Sequence, residues 1–177
     1  LRVAGQLGIP TILQEQNSYA GLTNKLLAKK AKKICVAYDG MNRFFEESKI
    51  VITGNPVRND IIDLEGKRDL ALEHFGLNPS LKTILVIGGS LGARTINDSI
   101  KENIKTLELD NIQLLWQTGS MYYSEINNAV KESGIKTIFP KEFIKNMDFA
   151  YSVADLIISR AGALSVSELC IVRKPAI

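Results

Sequence analysis

The feature that most constrains the fold is an alternation that runs the length of the chain: short apolar, β-branched runs give way to longer amphipathic stretches. Residues 11–13, 34–37, 50–53, 83–87, 113–117, 137–139 and 156–159 read as strands. Residues 18–30, 40–46, 68–75, 93–105, 121–133, 147–153 and 163–172 read as helices. Runs such as Ile84-Leu85-Val86-Ile87 are apolar on consecutive residues, as a strand is when helices cover both sheet faces. The pattern predicts an α/β fold with parallel, doubly wound sheet.

The ends fit the same pattern. The opening residues, through Gly8, look like the last turns of a helix closed by a glycine, and Lys174-Pro175-Ala176-Ile177 looks like the start of a buried strand. The expectation is therefore a chain cut from a longer protein. One interior break, Thr53-Gly54-Asn55-Pro56-Val57-Arg58-Asn59-Asp60, combines glycine with Asn-Pro. The residues alone leave an ordinary loop and a domain crossover equally open.

Composition narrows the class. Apolar residues make up 45% and charged residues 23% of the 177, which is ordinary for a globular protein and excludes disorder. No apolar run approaches the roughly 20 residues of a membrane-spanning helix. A net charge of +3 is too small to imply nucleic acid as a partner. Cys35 and Cys170 each lie in an apolar segment and read as two buried thiols in a reducing compartment, with no metal-ligand spacing.

The strongest local signal follows the 83–87 run: Gly88-Gly89-Ser90-Leu91-Gly92-Ala93-Arg94. Strand, glycine turn and helix start come in the order a phosphate site requires. Glycines Gly88, Gly89 and Gly92 let backbone N–H groups approach an anion, and the helix N-terminus adds its dipole. Ser90 can donate a hydroxyl and Arg94 a charge. The loop is neither GxGxxG nor a P-loop, so a tight turn without ligand stays open. A second strand–loop–helix repeats the arrangement at Arg160-Ala161-Gly162, then Ala163, Leu164, Ser165, Val166, Ser167 and Glu168. Glu168 could accept hydrogen bonds from vicinal ribose hydroxyls, or could simply compensate the helix dipole. A third patch, Gln14-Glu15-Gln16-Asn17, closes the first strand; Asn17 could touch ligand, cap the helix at 18–30, or both. Within that helix Lys25, Lys29, Lys32 and Lys33 would share one face, either simply solvated or drawn to an anionic membrane. His74, the single histidine, has no triad or metal partner and reads as a surface residue at a helix end.

Taken together, the string from Gln14 to Lys25, the Gly54-Asn55-Pro56-Val57-Arg58 break, the glycine loop and the Gly162–Glu168 segment resemble the MurG family of bacterial glycosyltransferases, in the family's order and spacing. The resemblance spans essentially the whole chain. It implies the GT-B fold, two Rossmann-like doubly wound parallel-sheet domains, both incomplete here. Residues 1–56 would close the N-terminal, acceptor-side domain, and 57–177 would open the C-terminal, donor-side domain. It implies inverting transfer of N-acetylglucosamine from UDP-GlcNAc to the undecaprenyl-diphosphate muramoyl-pentapeptide lipid I, giving lipid II for peptidoglycan. The setting would be the anionic cytoplasmic face of the cell membrane, with no cofactor or metal. Carried over by motif, Asn17, Arg58, Ser90, Ile144 and Ala163–Glu168 would contact the donor: Ser90 a phosphate, Glu168 the ribose, and the Ile144 backbone the uracil. Where the family carries His-Glu-Gln-Asn this chain has Gln14, so a role for that histidine does not transfer. The family's catalytic base would lie upstream of Leu1, and the piece alone would be inactive. Two other classes remain beside this one: another GT-B UDP-sugar enzyme (a glycolipid glycosyltransferase or a UDP-sugar epimerase), and a non-catalytic nucleotide-binding module.

Overall fold

The computed structural model describes residues 1–106 and 111–177. It divides into two compact units, Leu1–Val57 and Arg58–Ile177.

The first unit carries a parallel sheet in the order β1-β2-β3, formed by β1 (Ile12–Glu15), β2 (Lys33–Val36) and β3 (Ile50–Ile52). Leu13, Ile34, Val36, Met41 and Phe45 are buried together in its core. A short helix α1 (Arg2–Gln6) precedes the sheet, and Gly8 follows it at φ 70. Helix α2 covers only Leu22–Leu27, well short of the 18–30 expected from periodicity. The Glu15 carboxylate is the reason at its start: it accepts the Gly21 N–H at 2.8 Å and the Asn17 N–H at 3.0 Å, wrapping residues 17–21 around itself as a loop. Gly21, not Asn17, is therefore the N-cap. At the other end the chain tightens into a 3-10 turn over Ala28–Lys30, after which Ala31 is extended and the Lys32 N–H bonds the Thr11 carbonyl. Lys25 lies on α2, Lys29 on the turn, Lys32 beyond it and Lys33 on β2, so the expected common lysine face does not exist. The 40–46 helix shrinks to a single 3-10 turn, Met41–Arg43, because the Phe44 and Phe45 N–H groups both return to the Met41 carbonyl and the ladder goes no further.

The second unit holds β4 (Lys82–Ile87), β5 (Ile112–Gln117), β6 (Ile138–Lys141) and β7 (Leu156–Ser159), all parallel, in the order β6-β5-β4-β7. Alternation along β4 and β5 feeds two cores. Leu85 and Leu115 pack with Ala71, Tyr151 and Ile157, whereas Val86 and Trp116 pack with Ile126 and Val130. The first core takes α3 (Arg68–Phe75) and α6 (Met147–Val153); the second takes α5 (Tyr123–Ser133). Helices α4 (Arg94–Glu102) and α7 (Ala163–Val172) complete the unit. Cores on both faces make the sheet doubly wound, as the consecutive apolar runs require. Helix α4 ends before the expected 105, and a 3-10 turn follows at Ile104–Thr106. Ala176 bridges Ile157 in parallel, and the Ile157 and Ser159 N–H groups donate to the Pro175 and Ile177 carbonyls, so this stretch pairs beside β7 as the start of a strand would, with Ala176 and Ile177 exposed rather than buried. The thiols also differ from expectation. Cys35 is half-buried and Cys170 exposed, because each points off the packed face of its element.

Candidate functional site

In the second unit the sequence of strands fixes where a ligand can sit. Connections run outward from β4 through β5 to β6, then return across the sheet to β7 on the other side of β4. The order reverses between β4 and β7, and in open parallel sheets ligands bind at that crevice, beyond the strand carboxyl ends. The glycine loop leaves β4 on one side of it; the 160–162 loop and helix α7 leave β7 on the other. Chain topology thus brings Ser90 and Ala163–Glu168 to the same edge of the same sheet.

Both helices arrive with their first turns free of acidic side chains. A helix start of this kind, with no acidic side chain in its first turn to offset the positive end of the dipole, favours an anion. The N-caps are Ala93 and Gly162. Ser90 and Gly89 are exposed at the loop tip, while Gly88 is buried at its base. A Cβ on Gly88 would overlap the Ala93 N and Cβ. Behind the loop, Gly92 lies at φ 82 with its Cα against the Thr118 carbonyl, and Gly119 lies at φ 83 against the Leu91 and Gly92 backbone. The turn after β4 is thus pressed backbone to backbone on the turn after β5, and side chains are excluded from both sides of the contact. Asn97 tightens the joint: it donates to the Thr118 carbonyl at 2.8 Å and accepts the indole N–H of Trp116 at 3.0 Å, all buried. Arg94 turns to Asp98 at 3.4 Å on the solvent side.

Glu168 lies beyond the first turn of α7, which weighs against simple dipole compensation. It accepts a 2.8 Å hydrogen bond from the hydroxyl of Tyr151, a side chain with no exposed surface. Burial, and then the carboxylate beside it, push the Tyr151 phenol above its ordinary value, so it stays a donor. One carboxylate oxygen is thereby fixed. Arg58 opens the unit, pairs with Asp60 at 2.8 Å and donates to the Lys145 carbonyl at 3.0 Å. The Asp60 hydrogen bond, with smaller contributions from Glu168 and Asp148, raises its guanidinium above the ordinary value. Ile144, one residue away, is buried, and its N–H is committed to the Gln117 side chain at 2.8 Å.

In the first unit Asn17 is exposed beyond the carboxyl end of β1. Glu15 receives Asn17, Gly21 and Asn24, the last at 2.9 Å, and so organises the polar string that follows the strand. Burial alone would raise its carboxyl, but the hydrogen bonds from Asn24, Gly21 and Asn17 outweigh that and hold it below the ordinary range. Gln14 donates to the Gly54 carbonyl at 3.3 Å and Asn55 to the Gln16 carbonyl at 3.2 Å, so the Gly-Asn-Pro break is tied to the same patch. His74 stacks edge-on to Phe75 and Phe149 at 4.8 Å and 5.4 Å, an aromatic packing role. Among the described residues no group of three His, Cys, Asp or Glu side chains gathers to hold a metal.

Gln117, Tyr151, Asn97 and Gly119 escaped the sequence reading. For Gln117-Thr118-Gly119 a signal was present, since polar residues and a glycine there end a buried apolar strand, as they do after β4.

Comparison with known proteins places this geometry. The model of the glycosyltransferase family 28 C-terminal domain matches residues 83–177. Over its full length the chain is 56% identical to the UDP-N-acetylglucosamine–N-acetylmuramyl-(pentapeptide) pyrophosphoryl-undecaprenol N-acetylglucosamine transferase of Phocaeicola vulgatus, covering 47% of it. It is 55% identical to the enzyme of the same name from Parabacteroides distasonis, covering 48%. The chain thus spans about half the length of the curated relatives it matches. Among solved structures it resembles MurG of Acinetobacter baumannii, with a TM-score of 0.59 and 31% identity over 97% of this chain and 46% of that one. A UDP complex of MnaA from S. aureus shares the fold alone, with a TM-score of 0.64 at 14% identity over 99% of this chain and 52% of that one.

Proposed function

The chain belongs to glycosyltransferase family 28, and from that membership we propose that it contributes the UDP-sugar site of an inverting N-acetylglucosaminyltransferase that makes lipid II from lipid I. One observation carries the reading. The glycine loop and the Glu168 helix flank the switch point of a single parallel sheet, where the loop and the α4 start would take a diphosphate and Glu168 a ribose. The names of the relatives support the same donor and acceptor.

In this reading the acceptor hydroxyl attacks the anomeric carbon and UDP departs. Negative charge grows on the diphosphate as the glycosidic bond to it breaks. The exposed loop backbone of Gly89–Leu91, the Ser90 hydroxyl and the first turn of α4 would meet that charge where it develops, so they stabilise the transition state more than the bound substrate. Glu168, steadied by Tyr151, takes the ribose hydroxyls, and Ile144 and Arg58 lie at the base end. The reaction in this form requires no cofactor, and the general base lies outside the residues assigned here.

An acceptor anchored in lipid puts the protein at the cytoplasmic face of the membrane. No described helix is long and apolar enough to cross a bilayer. Exposed Leu22 and Leu26 beside Lys25 support a peripheral contact with anionic lipid. Co-sedimentation with vesicles with and without anionic lipid tests it, and equal binding to both rejects the electrostatic part. The polar string Glu15–Lys25, held by Glu15, favours this reading over another UDP-sugar enzyme of the same fold.

The test of the donor site is Glu168→Ala in the intact protein. UDP affinity should fall about tenfold, the scale of a charged hydrogen-bond pair lost from a ribose. Unchanged UDP affinity by calorimetry would remove Glu168 from the site.

A further inference from the structure

Strand β5 lies between β4 and β6, so its last residue sits between the loops that leave both neighbours. That residue is Gln117, paired in register with Ile87 on one side and Lys141 on the other. Its side chain is 5% exposed and uses both ends of its amide on main chain: Nε2 donates to the Gly89 carbonyl at 3.1 Å, and Oε1 accepts from the Ile144 N–H at 2.8 Å. Gly89 neighbours Ser90 in the glycine loop; Ile144 neighbours Lys145, whose carbonyl holds Arg58. One buried amide therefore spans the two segments.

We propose that Gln117 is a positioning residue that sets the spacing between the phosphate-binding and base-binding loops, so that a nucleoside diphosphate meets both in register. The inference rests on the donor-site reading above. Gln117 touches no ligand in this role and acts through Gly89 and Ile144. Its chemistry is restrictive. A glutamate would turn an acceptor toward the Gly89 carbonyl and bring negative charge near the diphosphate; an asparagine is one methylene short. A methionine matches the length but makes neither bond. Pre-setting two loops spares a ligand the ordering cost of bringing them together, and that saving goes only to a ligand that bridges them.

The test compares UDP, uridine and inorganic pyrophosphate by calorimetry on the intact protein and its Gln117→Met variant. The variant should lose about tenfold in UDP affinity while uridine and pyrophosphate each change by less than about twofold, since neither fragment needs the spacing. Unchanged UDP affinity, or equal losses for UDP and uridine, would overturn the proposal. Wild-type protein that fails to bind UDP would instead reject the donor site itself, a separate arm of the same experiment. Should Gln117→Met not fold, hydrogen exchange on the wild type decides. The Ile144 amide should already exchange slowly in the free protein, as a pre-set spacing requires; fast exchange that slows only when UDP binds overturns the proposal.

Discussion

Glu15 shows how much one side chain can organise. Its carboxylate, 3% exposed, accepts from Asn17, Gly21 and Asn24 and turns a stretch with helical periodicity into a loop. Its pKa is held below the ordinary value of about 4.3, so its stabilisation is fully present above that value and is lost as pH falls through the lower folded value. Glu15→Gln would face the same donors with an amide N–H₂, at a cost of about 1–3 kcal/mol to the first unit. Exchange of the Gly21 amide should therefore be faster in the variant at neutral pH, and the difference should shrink at acid pH. A gap that does not depend on pH would refute the carboxylate's part. Tyr151→Phe makes the second residue-level case. It leaves packing intact but frees the Glu168 carboxylate, so UDP affinity should fall about two- to fivefold with little change in thermal stability, because a single neutral-donor hydrogen bond contributes about 1 kcal/mol. A large drop in stability with affinity unchanged would make Tyr151 a core residue only.

At the level of elements, the two glycine turns behind the candidate phosphate site are the least forgiving. Gly92→Ala places a Cβ on the Thr118 carbonyl at a left-handed φ. The backbone cost alone is about 1–2 kcal/mol. We expect a lower melting temperature and loss of UDP binding together, whereas Gly89→Ala, with open space around its Cβ, should carry only the backbone cost. If both variants melt alike, the close approach to Thr118 is not limiting. Elements also mark what could be read in advance. Strands β4, β5 and β7 and helices α3, α6 and α7 were legible because apolar runs and clean periodicity report burial directly. The helices expected at 18–30 and 40–46 failed for a shared reason: periodicity counts apolar spacing, and it is blind to Glu15 drawing in the Gly21 N–H or to Met41 taking two N–H groups at once. Ser90 and Glu168 were visible as motifs. Gln117 and Tyr151 were not, since each acts across a distance of 17 to 28 residues that no local pattern encodes.

For the whole molecule, the division at Val57 and Arg58 sorts the assigned residues unevenly. Ser90, Ile144, Arg58 and Glu168 all belong to the second unit, and only Asn17 to the first. A ligand that binds the folded state stabilises what it touches by mass action. UDP should therefore slow exchange chiefly across Arg58–Ile177, with the glycine loop, the 144–145 segment and the start of α7 most affected. Protection concentrated in Leu1–Val57 would move the nucleotide site to the other unit.

Trp116 is the one tryptophan of the chain, has no exposed surface, and bonds Asn97 immediately beside Gln117. Nature has thus built an optical reporter into one of the two units. Emission excited through the indole will follow melting of the second unit with a shift to the red, while the first unit can unfold in silence. A single fluorescence transition would then describe only the second unit, and its comparison with far-ultraviolet dichroism would reveal whether the two units melt together.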